Sequence, residues 1–168
     1  YDITDKDFEY FYAHILEEQG YSRVTVRGWM SDWWIDIQAH KDGKWYFIQC
    51  KQWANEYIDI KRAWEYFATI WKKKQQFPDA VFRYVTTSYL HSEAIDFFKG
   101  NWIEYIDNIP LIELCEKMRV FDADKWKSIR LAIYQKRMKK LSGDWYNNAK
   151  EVLRQDCLRE FRNHLSEN

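Results

Sequence analysis

Asp36, Gln49 and Lys51 are the residues of this 168-residue chain whose types and spacing can do chemistry together. They offer a carboxylate, an amide oxygen and an ammonium group. Mg²⁺ prefers oxygen ligands and keeps several waters. The Asp36 carboxylate, the Gln49 amide oxygen and the backbone carbonyl of Cys50 would suit it, and Lys51 could place or activate a water. These are the parts of a phosphodiester-cleaving site.

Two strands joined by a tight turn must position them. Residues 34–40 and 45–51 read as strands, and Asp42-Gly43 between them is a strong hairpin signal, because type I′ turns need the positive φ that glycine tolerates. Alternate residues of a strand share a face. Gln49 and Lys51 therefore point one way, and Ile48 and Cys50 the other. Asp36 shares its face with Trp34 and Gln38, while Ile35, Ile37 and Ala39 line the opposite one. Pairing around the turn brings Asp36 beside Gln49 and Lys51. An isolated Asp or Lys on a strand is usually a solvated edge residue. Here Gln49-Cys50-Lys51 ends an apolar run, Trp45-Tyr46-Phe47-Ile48, that should be buried. A lysine in that setting needs a partner, since burying an unpaired charge is costly.

Asp36 followed by Gln49-Cys50-Lys51-Gln52-Trp53 resembles the catalytic signature of the Mrr-like restriction endonucleases. These form a branch of the PD-(D/E)xK nuclease superfamily in which Gln replaces the usual acid. Phe8-Glu9 through Gly20-Tyr21 resembles the family's first helix and its exit into the first strand. Val85-Thr86-Thr87-Ser88 and Ser92-Glu93-Ala94 resemble its fourth strand and the next helix. Trp102 to Asp107, then Leu111-Ile112-Glu113-Leu114, resembles its last strand and helix. The likeness covers roughly residues 5–117. It implies a restriction-endonuclease-like α/β fold and Mg²⁺- or Mn²⁺-dependent hydrolysis of DNA to 5′-phosphate and 3′-hydroxyl ends, in restriction, defence or DNA processing. It implies no small-molecule cofactor. It also implies a separate recognition domain beside this one; a homodimer is the other expected partnership. The family usually carries glycines just before the catalytic Asp, where this chain has Trp33-Trp34. Small residues there admit a phosphate backbone. Two indoles either obstruct a duplex or stack on unpaired bases.

Glu9 joins the candidates. A helix carboxylate facing the sheet can add a metal contact or hold a water, and an acid here often belongs to the family's active site. The plainer reading is a surface glutamate in an acid-rich first turn, favoured by the helix dipole. Thr86, Thr87 and Ser88 with His91 read as caps and turn formers rather than as a nucleophile and its base.

Length fits one domain. No apolar run reaches a membrane span and no signal peptide is evident. Cys50, Cys115 and Cys157 are odd in number and widely spaced, which fits reduced thiols in a cytoplasmic protein rather than a disulfide framework. No Cys/His spacing reads as a zinc site. Net charge is zero, yet residues 1–60 are acidic and 61–140 basic. Lys72, Lys73 and Lys74 form one basic cluster, and Lys136, Arg137, Lys139 and Lys140 belong to another. Both are candidates for DNA phosphate contacts. The alternative for each is a solvated helix face.

The expected element order is a helix at 5–19 capped by Thr4 and ended by Gly20, then three strands at 21–27, 34–40 and 45–51. A helix at 58–76 follows, with Ala63, Phe67, Ile70 and Trp71 inward. A strand at 80–87, a helix at 92–99, a strand at 102–106 and a helix at 110–117 close the core. That is an α/β architecture of order α-β-β-β-α-β with a mixed central sheet. Residues 1–120 form the nuclease-like domain. Residues 121–168 read as a C-terminal helical hairpin, about 123–141 and 145–165, packed on the core. The competing functions are a catalytically inactive nucleic-acid-binding domain of the same fold and a protein-interaction domain.

Overall fold

In the computed structural model, which describes residues 4–27, 35–52, 57–120 and 122–139, Thr4 starts the helix α1 (Asp5–Glu18). Its hydroxyl accepts from the Asp7 amide at 3.2 Å, and its own amide donates to the Asp7 carboxylate at 3.4 Å. This reciprocal pair satisfies two donors that the first helical turn cannot. Thr4→Ala is expected to cost about 1 kcal/mol, read as a lower midpoint in urea at unchanged slope. At the other end Gly20 adopts φ +83°, and the Tyr21 amide donates back to the Leu16 carbonyl at 3.0 Å.

Five strands form one sheet in chain order: β1 (Ser22–Val26), β2 (Ile37–Lys41), β3 (Lys44–Lys51), β4 (Val81–Thr86) and β5 (Ile103–Ile106). The first two pairings are antiparallel and the last two parallel. The β2–β3 turn has both central residues at positive φ, Asp42 at +50° and Gly43 at +77°, as a type I′ hairpin requires. Parallel neighbours need a crossover. Helix α2 (Ile60–Gln76) supplies it between β3 and β4, and α3 (Ser92–Gly100) between β4 and β5; α4 (Asn108–Lys117) follows.

The sheet is covered on both faces. Tyr12, Ile15 and Leu16 of α1 are fully buried, as are Ile37 and Ile48 of the strands α1 covers and Val85 of β4, the register partner of Cys50. On the opposite face Phe47, Phe82 and Tyr84 pack with Tyr66 and Ile70 of α2 and Phe98 of α3. The inward stripe of α2 is Ala63, Tyr66 and Ile70. Trp71, expected inward, is 49% exposed, and Phe67 is half-buried. Ala63 and Ile70 face inward as expected and Phe67 packs against the same core, while Tyr66 takes the further inward place, its ring meeting those of Tyr84 and Phe98 at 5.1 and 6.1 Å.

The chain divides into two compact units, Tyr1–Phe121 and Asp122–Asn168. Within the second, α5 (Ala123–Lys139) is described and buries Ile129 and Ile133. The expected second helix of the hairpin lies outside the described residues, as do Lys140, Cys157, Trp33, Trp34 and Trp53.

Candidate nuclease site

Asp36 stands just before β2, where its amide still donates to the Ile48 carbonyl at 2.9 Å and its carbonyl accepts from the Arg27 amide at 2.7 Å. It is held between β1 and β3. Ile37 opposes Ile48 in the register, so one step further along places Asp36 opposite Gln49. The side chains complete the pairing. Asp36 Oδ2 accepts from Gln49 Nε2 at 2.5 Å and from the Cys50 backbone amide at 2.8 Å. Its Oδ1 accepts no hydrogen bond among the described residues.

The Gln49 amide can lie only one way against an ionised carboxylate, which accepts and never donates. Its NH₂ must face Asp36 Oδ2, so Oε1 is left without that partner. That oxygen is buried, in a side chain only 2% exposed, and has no hydrogen-bond partner among the described residues. A buried acceptor without a donor is uncommon and costly.

Electrostatics point the same way. Burial raises the Asp36 carboxyl above its ordinary pKa. The Cys50 amide, Lys51 and Lys6 oppose this without cancelling it. The Cys50 thiol is driven well up by burial, then by Asp36 and Glu9. It stays protonated, so the metal contact assigned to Cys50 rests on its carbonyl rather than its sulfur.

The two faces of β3 separate the other candidates. Gln49 and Lys51 pair with Tyr84 and Thr86, on the α2 side. Cys50 lies on the α1 side, and there Glu9 acts on it. Glu9 is 8% exposed and forms an ion pair with Lys6, whose Nζ also donates to the Arg27 carbonyl at 2.9 Å. It is not the solvated first-turn glutamate of the plainer reading. Lys6 was missed from the sequence, although its spacing of three from Glu9 on a helix is a contact spacing. Tyr84 was missed as well. Burial raises its hydroxyl, the Arg62 charge lowers it and the Asp36 charge raises it.

Chemistry-bearing groups elsewhere fall into structural roles. Thr86 Oγ1 accepts from the Ser88 amide at 3.1 Å, and His91 is the N-cap residue of α3 with no side-chain cap bond. The α2 lysines disperse. Lys73 Nζ sits 5.4 Å over the Phe47 ring and Lys74 Nζ 4.9 Å over that of Phe82, while Lys72 is exposed. Phe47 pairs with Gln38, two residues along β2 from Asp36, roughly 7 Å along the strand. Lys136, Arg137 and Lys139 are on α5.

Among the described residues no three His, Cys, Asp or Glu side chains gather as a metal cluster. A cation at Asp36 would need the Gln49 amide oxygen and a backbone carbonyl, both oxygen donors suited to a hard ion.

The family model described as restriction endonuclease, of the Mrr catalytic type, matches residues 1–115, which carry all four of Glu9, Asp36, Gln49 and Lys51. The chain belongs to the Mrr-type restriction endonuclease family. Its mixed five-stranded sheet flanked by helices is the restriction-endonuclease-like fold. Among solved structures it is similar to the crystal structure of AF1548, a protein of unknown function. The TM-score is 0.56 at 19% identity, covering 88% of this chain and 97% of that one, which shows shared fold. No curated protein sequence matches the chain. This member of the Mrr family is of the nuclease type, and among its described residues no helix is long and apolar enough to cross a membrane.

Proposed function

We propose that this chain is a Mg²⁺- or Mn²⁺-dependent DNA endonuclease in which Asp36, Gln49 and Lys51 form the catalytic centre. The observation that carries this reading is the buried Gln49 Oε1, without a hydrogen-bond partner among the described residues, in a side chain bonded to the Asp36 carboxylate. Asp36 Oδ1, Gln49 Oε1 and the Cys50 carbonyl would hold the ion. When bound, it supplies Lewis acidity that lowers the pKa of water and neutralises charge growing on the phosphate.

The chain's own groups do the rest. Lys51 orients the attacking water and faces the negative charge that develops on the phosphoryl oxygens. Water adds to phosphorus, the bond to the 3′-oxygen breaks, and 5′-phosphate and 3′-hydroxyl ends result. Glu9, held by Lys6, supports the site from the α1 side. Phosphate contacts are assigned to the exposed Lys72 and, in the second unit, to Lys136, Arg137, Lys139 and Lys140. A cytoplasmic setting fits the two free buried cysteines, Cys50 and Cys115.

Nicking of supercoiled plasmid in Mg²⁺ or Mn²⁺, absent in EDTA, is the test. No conversion with either ion would remove the reading. Gln49→Glu separates the ligand role from a packing role. A carboxylate there restores the commoner ligand of the superfamily and keeps an oxygen toward the ion. We expect it to retain cleavage within about tenfold of wild type. Gln49→Leu, of similar volume, should lose it. Equal activities of the two variants would show that Gln49 only fills space.

A further inference from the structure

Beyond β3 and β4, at the end of the sheet where Lys51 lies, two tyrosines stand out from the surface. Tyr57 is 66% exposed and Tyr89 45%, and their rings lie 6.1 Å apart at 37°. Single exposed aromatics need no explanation. A pair presented on a rigid backbone does.

The backbone beneath is fixed from three sides. The Ile58 amide donates to the Tyr89 carbonyl and the His91 amide to the Ile58 carbonyl, each at 2.9 Å. Ile58 and Leu90, next to the two tyrosines in sequence, are buried and form a parallel bridge. Asn108 holds the other flank, its side chain donating to the Thr87 carbonyl at 2.7 Å and its amide to the Ser88 carbonyl at 2.9 Å. Buried neighbours therefore anchor the chain while the two rings project outward.

The pair adjoins the candidate site. Thr86 is the register partner of Lys51, and the Thr87 amide donates to the Lys51 carbonyl at 3.3 Å. Tyr89 is three residues beyond Thr86, so its Cα lies within roughly 10 Å of it. On the other side Arg62 Nη1 donates to the Tyr57 carbonyl at 3.1 Å. The aromatic faces, a guanidinium and the strand end that carries Lys51 thus lie together at one end of the sheet.

From this juxtaposition we infer that Tyr57 and Tyr89 form a stacking shelf for an unpaired nucleobase flanking the scissile phosphate, with Arg62 at the adjoining backbone, so that the preferred substrate contains single-stranded DNA. The inference rests on the nuclease reading for its location, but stacking needs no cleavage. Every base has a π-face, so the shelf is tolerant of sequence. In a duplex the bases are stacked on one another and cannot reach it.

The test is fluorescence anisotropy with the full chain in EDTA. The probes are a short labelled oligothymidine, an abasic oligomer of equal length and a hairpin duplex. Tyr57→Ala with Tyr89→Ala should weaken oligothymidine binding about tenfold or more. Abasic and duplex binding should move by no more than about twofold. Tyr57→Phe with Tyr89→Phe should retain wild-type affinity, since stacking needs the ring and not the hydroxyl. Unchanged oligothymidine affinity in a folded double-alanine variant overturns the shelf. So does an equal loss on all three probes, or a wild type that binds oligothymidine no better than the abasic chain; either would mark a protein contact or a general charge effect. Because no metal is present, the outcome is independent of plasmid nicking. Loss of the shelf leaves the nuclease reading standing, and a plasmid left intact leaves the shelf standing as a binding site.

Discussion

Asp36→Ala is expected to lower divalent-metal-dependent DNA cleavage by about three orders of magnitude or more, and Lys51→Ala by about two to three. Asp36 is placed at the centre by its own bonds. Its carboxylate accepts from Gln49 and from the Cys50 amide, so its removal deletes a ligand and unmoors Gln49 together. Lys51 contributes charge rather than a ligand, and its loss should be the smaller. Neither change should unfold the chain, because the core on both faces lies around Ile48, Val85, Phe47 and Phe82. Single-turnover nicking, with circular dichroism as the check on folding, reads both. Wild-type rates in the two purified variants would remove the catalytic assignment. Double substitution should cost little more than Asp36→Ala alone, since groups acting on one step are not additive.

The second large effect links pH, metal and stability. The Asp36 carboxyl is raised above its ordinary value, chiefly by burial. A carboxyl raised on folding favours the protonated native state. Its stabilising contribution is complete below the ordinary aspartate pKa and is lost as pH rises through the raised one. The metal-free protein at neutral pH therefore carries the cost of an ionised, partly desolvated Asp36. Asp36→Asn keeps an acceptor oxygen for the Cys50 amide and removes that charge. It should raise the neutral-pH melting temperature in EDTA and flatten the slope of stability with pH across that window. Mg²⁺ or Mn²⁺ acts oppositely. At tenfold excess over its Kd an ion bound only to the native state adds about 1.4 kcal/mol, a few degrees in wild type and none in Asp36→Asn. A thermal-shift titration in EDTA and in Mn²⁺ at several pH values measures all of this. If metal stabilises Asp36→Asn as much as wild type, the ion binds elsewhere.

What the sequence by itself determined is local or periodic. Asp42-Gly43 dictates a type I′ turn because both central residues need positive φ, and that turn sets the register bringing Asp36 to Gln49. Thr4 and Gly20 bound α1 through cap chemistry that a few adjacent residues decide. The Gln49-Cys50-Lys51-Gln52-Trp53 stretch carried the resemblance to the family whose model matches residues 1–115. Tertiary structure decided the rest, where several local choices are equally good. Tyr66 rather than Trp71 turns inward because Tyr84 and Phe98 receive its ring across the sheet. Lys73 and Lys74 leave their cluster because Phe47 and Phe82 offer faces beneath them. Glu9 is buried because Lys6 and the Arg27 carbonyl hold its surroundings. Tyr57 and Tyr89, far apart in the chain, meet only because Ile58 and Leu90 bridge. The orphaned oxygen of Gln49 is of this second kind. Its residue type is in the sequence, but its burial without a donor among the described residues comes from the packing around it.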